Sequence, residues 1–92
     1  MGFLNTLQQI IIDRKARPAP DSYTASLFAA GEDEILKKIG EEAMEVILAA
    51  KGAGDARIIS ETADLFYHVL VLLAERDLTL AQVETELDRR HR

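Results

Sequence analysis

Two acidic patterns in the chain have the residue types and the spacing to do chemistry: Glu41-Glu42-x-x-Glu45 and Glu61-x-x-Asp64. On a helix, residues three apart are surface neighbours, so Glu42 pairs with Glu45 and Glu61 with Asp64. One such pair is ordinarily a solvated face. Two pairs brought together would repel strongly unless a cation lay between them. All-oxygen ligands select hard divalent cations, Mg²⁺ or Mn²⁺, over zinc or copper. Helical bundles build carboxylate metal sites from such pairs on facing helices, and the redox-active versions add Glu-x-x-His. Neither pattern contains that histidine, so the expected metal is redox-inert.

The elements that carry these residues decide whether they meet. Residues 33 to 51 read as one long helix with an apolar arc of Ile35, Ile39, Ala43, Val46, Ile47 and Ala50. Glu42 falls at the edge of that arc, with Lys38, Glu45 and Glu41 stepping outward. Gly52 and Gly54 end it, and Asp55 is the expected N-cap of a helix over residues 56 to 75. That helix is apolar nearly all round, as buried helices are. Glu61, Asp64 and His68 nevertheless share one narrow strip of it. Buried carboxylates are costly unless paired or bound to a cation. A short loop centred near Ala53 makes the two helices antiparallel neighbours, which sets Glu42 opposite Asp64 and Glu45 opposite Glu61. His68 is expected behind the ligands as a satisfied supporting residue. Tyr67 is expected on the opposite side, packing at an interface.

The remaining elements are also helical. Phe3, Leu4, Leu7, Ile10 and Ile11 recur at helical spacing, predicting an amphipathic helix over 3 to 15. It ends in a basic, proline-punctuated connection containing Arg14, Lys15 and Arg17. Residues 22 to 31 form a short helical turn stopped by Gly31, and Thr79 with Gln82 makes a capping box for a last helix to about Arg90. The expected fold is all-α: an antiparallel bundle of about four helices plus a short helical turn, one domain over residues 1–92. So much apolar surface on so short a chain predicts completion by oligomerisation, at least to a dimer.

Composition narrows the function classes. A net charge of −5 disfavours a nucleic-acid groove lined by protein cations, and an acidic protein that handles phosphates does so better through divalent cations. The absence of cysteine excludes disulfides and thiolate metal sites and fits a cytoplasmic setting. No apolar run approaches the length of a membrane span.

The segments KKIGEEAMEVILAAK and ETADLFYHVLVLL resemble the phosphoribosyl-ATP pyrophosphatase family of histidine biosynthesis. That family belongs to the all-α nucleoside triphosphate pyrophosphatase superfamily typified by MazG, whose mark is E-E-x-x-E followed by E-x-x-D. SYTASLFAAG, residues 22 to 31, is similar to the same family, and the likeness covers nearly the whole chain. The resemblance implies hydrolysis of phosphoribosyl-ATP to phosphoribosyl-AMP and pyrophosphate, by an enzyme that binds the ATP moiety. It implies Mg²⁺, with Mn²⁺ as an alternative, on Glu42, Glu45, Glu61 and Asp64, and an in-line attack by water. Glu41 is the residue expected to orient that water and Lys38 the one expected to reach a phosphate oxygen. Arg14, Lys15 and Arg17, with Ser22, Tyr23 and Thr24, are placed to hold the ribosyl phosphate. Many relatives are fused to the cyclohydrolase of the following step. This chain resembles the stand-alone form, which would pass its product to a separate cyclohydrolase.

Two other functions share parts of this pattern. A house-cleaning pyrophosphatase acting on dUTP or damaged triphosphates would keep every metal ligand and differ in its base pocket. A non-catalytic helical dimerisation module would keep the helices and bind no Mg²⁺.

Overall fold

The protein was analysed as a computed structural model that describes residues 2–92. Five helices follow one another: α1 (Gly2–Ala16), α2 (Tyr23–Ala30), α3 (Glu32–Gly52), α4 (Asp55–Glu75) and α5 (Leu80–Arg90). No strand occurs among the described residues, so the fold is all-α as expected. The expected helical turn is a two-turn helix, α2. Ser22 caps it by accepting a hydrogen bond from the Ala25 N–H at 3.1 Å. Gly31 both ends α2 and precedes α3, with φ +102°, a conformation that side-chain-bearing residues rarely adopt.

The α3–α4 hairpin is the spine of the molecule, with α1 against α4 and α2 against α3 and α1. Its turn is Ala53–Gly54, so the loop centre matches the sequence expectation. Asp55 is not the N-cap. Gly54 holds that position with φ +88°, and Asp55 lies in the first turn of α4, where its charge favours the helix dipole. The last helix begins with the expected capping box between Thr79 and Gln82. α4 ends in a Schellman turn: Leu78 N–H donates to the Leu73 carbonyl at 2.8 Å and Asp77 N–H to Ala74 at 3.1 Å. Asp77 occupies the left-handed position of that turn, φ 56°.

Ile11, Leu27, Ile35, Leu70, Val71 and Ala74 form the buried core, with Leu4, Leu7 and Ile39 packed against it. The buried faces are narrower than the sequence suggested. On α1, Phe3 and Ile10 are exposed; on α3, Ile47 and Ala50 are exposed, while Ala49 is buried. On α4, which reads as apolar all round, Ile59 is 70% and Phe66 51% exposed. The single chain therefore has too few elements to cover its own apolar residues. Its accessible surface of 6284 Å² compares with about 5,300 Å² for a compact monomer of this mass. The radius of gyration, 14.2 Å, exceeds the roughly 12.3 Å of a compact chain this long. α5 contributes most to the openness: it buries no residue of its own and packs least against the other helices.

Candidate functional site

The hairpin brings the two acidic patterns together. Glu42 on α3 and Glu61 and Asp64 on α4 each present a carboxylate oxygen, all three within 4.8 Å of one another. Their burial is graded: Glu61 is buried, Glu42 partly covered and Asp64 exposed, so the cluster has a floor and an open side. Ligand oxygens about 2.1 Å from one Mg²⁺ stand no more than about 4.2 Å apart, and the observed spacing is close to that span. The donor set therefore fits a hard divalent cation.

Glu45 lies outside this group. It stands one step further out from the α3–α4 seam than Glu42, on the exposed side of α3. The exposure of Asp64 also departs from the buried position read from its apolar surroundings.

Two cations flank the carboxylates, one from each helix. Lys38 Nζ lies 3.3 Å from Glu41 and 3.9 Å from Glu42. The hydrogen bond to Glu41, then the neighbouring Tyr23, hold its pKa above the usual lysine value. On α4, Arg57 donates to Glu61 Oε2 at 2.5 Å. Sequence reading missed Arg57, although its position four residues before Glu61 is the spacing of a helical ion pair.

His68 is 4% exposed and fully engaged. Its Nδ1 lies 2.7 Å from the backbone carbonyl of Asp64, which can only accept, so Nδ1 carries the proton. Nε2 then accepts from the Tyr23 hydroxyl at 3.1 Å. The ring supports the site rather than joining the carboxylates. Tyr67 is not on the opposite side: consecutive helical residues diverge by only about 100°, and its ring packs edge-on to His68 with centroids 4.9 Å apart. It also hydrogen-bonds Thr24. Burial raises the Tyr67 pKa, with the Thr24 bond opposing. Tyr23, Thr24, Tyr67 and His68 thus tie α2 to α4 beside the cluster.

The basic connection is less available than its composition implies. Arg14 and Arg17 both pair with Asp13, and the Arg17 hydrogen bond leads in holding the Asp13 carboxyl below its usual pKa. Lys15 Nζ donates to the carbonyls of Ala74 at 2.8 Å and Glu75 at 3.3 Å and to Asp77 at 3.2 Å. Those partners lie at the far end of α4, about 15 Å along the axis from Asp64. Lys15 is a helix cap there, and the Ser22 oxygen is the cap of α2.

Comparison with known proteins bears on this arrangement. Residues 4–91 match the family described as phosphoribosyl-ATP pyrophosphohydrolase. The chain belongs to that family. A phosphoribosyl-ATP pyrophosphatase of Trichlorobacter lovleyi is 55% identical over 87 residues, 95% of this chain and 81% of the relative. One from Lactiplantibacillus plantarum is 53% identical over 90 residues, covering 98% and 85%. One from Methanocella arvoryzae is 45% identical over 91 residues, covering 97% and 96%. In this family member, α3 and α4 bring three of the five motif carboxylates, Glu42, Glu61 and Asp64, together.

Proposed function

We propose that the chain hydrolyses phosphoribosyl-ATP to phosphoribosyl-AMP and pyrophosphate, a step of histidine biosynthesis, using a divalent cation held by Glu42, Glu61 and Asp64. The observation that carries the site is the three carboxylate oxygens within 4.8 Å, one of them on a buried glutamate. Family membership supports the substrate, because relatives across nearly the full length carry that activity in their names.

When bound there, Mg²⁺ or Mn²⁺ supplies charge to the triphosphate oxygens and offsets the charge that develops on the leaving pyrophosphate. The chain's own residues do the rest. Glu61, the buried member, fixes the depth of the site, while exposed Asp64 lets the phosphates approach. Glu45 completes the ligand set by a change of rotamer on entry of the substrate. Glu41, exposed beside Glu42, orients the attacking water, and Lys38 moves from Glu41 to a phosphate oxygen. Tyr23 and Thr24 border the ribosyl side, with Arg14 next in reach. Lys15 and Ser22 support the fold from their caps.

The functional unit is a homo-oligomer, at least a dimer. Roughly 1,000 Å² of surface beyond that of a compact monomer is about what one partner contributes to a standard interface. α3 and α4 carry both exposed apolar residues and the acidic cluster, so the interface and the site draw on the same helices. No helix among the described residues is long and apolar enough to cross a membrane. The phosphorylated substrate suits a cytoplasmic enzyme that passes its product to a separate cyclohydrolase.

Pyrophosphate release should be measured from phosphoribosyl-ATP, dUTP and ATP, each with and without Mg²⁺. Fast Mg²⁺-dependent release from phosphoribosyl-ATP alone is expected. Preference for dUTP would replace the pathway reading with house-cleaning hydrolysis. No release from any substrate would leave a helical interaction module.

A further inference from the structure

Arg57 is the cation nearest the buried floor of the site, and none of the roles above uses it. It stands one turn before Glu61 on α4 and donates to Glu61 Oε2 at 2.5 Å. The two side chains differ sharply in cover: 59% of Arg57 is exposed against 11% of Glu61. The Arg57 side chain thus lies largely in solvent while its guanidinium touches the most buried carboxylate of the cluster. Among the described residues, only Lys38 and Arg57 pair with the three grouped carboxylates, one from each helix. Asp64 has no such partner there.

This placement has two consequences. A divalent cation entering among the carboxylates meets a positive charge already seated on one of them, so Arg57 opposes its binding. Ion pairs four residues apart on a helix contribute little, and the Arg57 end of this one lies in solvent, so the guanidinium can change partners. Once Glu61 has turned to the metal, the nearest anionic oxygens are those of the substrate's triphosphate. A planar fork of N–H donors matches phosphate better than an ammonium does.

We propose that Arg57 is a substrate-positioning residue, docked on Glu61 until a divalent cation takes that carboxylate and then engaging the triphosphate. This rests on the reading above that the chain hydrolyses a triphosphate with a divalent cation at these carboxylates.

The test uses the full chain and reads metal binding separately from turnover. Mn²⁺ affinity without substrate is followed by electron paramagnetic resonance for the wild type, Arg57→Gln and Arg57→Lys. Steady-state kinetics on phosphoribosyl-ATP are run on all three. Arg57→Gln should bind Mn²⁺ about twofold to fivefold more tightly, the size of a weak ion pair with one partner in solvent. Its KM should rise about tenfold, the loss of one charge-assisted contact, with kcat less affected. Arg57→Lys should restore part of the KM. An Arg57 that serves only as the ion-pair partner of Glu61 would tighten Mn²⁺ binding but leave KM alone, so an unchanged KM for Arg57→Gln would overturn the proposal. A wild type that binds no Mn²⁺ would instead overturn the metal reading beneath it.

Discussion

The Tyr23 hydroxyl lies 3.1 Å from Nε2 of His68, whose Nδ1 lies 2.7 Å from the carbonyl oxygen of Asp64. A buried ring thereby links a half-exposed phenol on α2 to the backbone of Asp64, a member of the carboxylate cluster, on α4. The backbone carbonyl fixes the tautomer, the tautomer makes Nε2 an acceptor, and the acceptor aims the tyrosine. Tyr23 also helps to raise the pKa of Lys38, so the chain of contacts ends beside the lysine that pairs with Glu41 and Glu42.

Tyr23→Phe tests whether this contact serves the substrate or only ties the helices together. Loss of one partly buried hydrogen bond should lower stability by about 1 kcal/mol. If the hydroxyl also borders the substrate, KM should rise by about fivefold, or about 1 kcal/mol. A lower melting temperature with an unchanged KM would make the contact purely structural.

Substitution of the carboxylates separates a three-ligand site from a four-ligand one. Glu42→Gln, Glu61→Gln and Asp64→Asn should each reduce pyrophosphate release at least about 100-fold, because each removes a charge aimed at the cation. Glu45→Gln should cost less, about tenfold, if Glu45 joins the set only with substrate bound. Equal losses for all four would place Glu45 among the resident ligands.

Helical spacing made the hairpin, the capping box and the pairing of Glu42 with Asp64 legible in the sequence. Three kinds of information were not. The first was rotation about the helix axis: a helical wheel placed Glu45 only to within a neighbouring strip, and that difference took it out of the cluster. The second was coverage. Ile59 and Phe66 read as core because they are apolar, but burial depends on whether another element lies over them, and one chain supplies none. Lys15 shows a third limit. Its composition suggested phosphate, while its partners, the last carbonyls of α4, come from the other end of the sequence.

The uncovered apolar face predicts association that one charge should break. Ile59 is exposed in the single chain, so Ile59→Asp removes no packing from the monomer. Placed at the centre of an interface, it should weaken assembly about 100-fold, in the range of a hot-spot loss. Sedimentation velocity at several concentrations, alongside helicity by circular dichroism, checks this. Unchanged assembly would move the interface to another face.

Acid sensitivity should arise partly from an ion pair between the start of α3 and the end of α4. Arg76 hydrogen-bonds Glu32 and holds its carboxyl below the ordinary value of 4.5. Because the folded pKa is the lower one, the pair's contribution is present above about pH 4.5. It is lost as the pH falls through the folded value. Glu32→Gln should therefore narrow the stability gap to the wild type at pH 3 relative to pH 7. High salt should narrow it as well, since the pair is exposed. A gap independent of pH would show that the pair contributes nothing.

Lys15→Met should separate fold from catalysis most cleanly. The methionine keeps an unbranched chain for the packing but leaves the Ala74 and Glu75 carbonyls and the Asp77 carboxylate without their shared donor. Loss of a charge-assisted cap at a helix C-terminus is expected to lower stability by about 1 kcal/mol, roughly 4–8 °C in Tm for a domain this size. The three-carboxylate cluster is about 15 Å away along α4, so KM and kcat measured well below the lowered Tm should match the wild type. A raised KM with unchanged Tm would return Lys15 to the ribosyl phosphate, where its place in a basic sequence first put it.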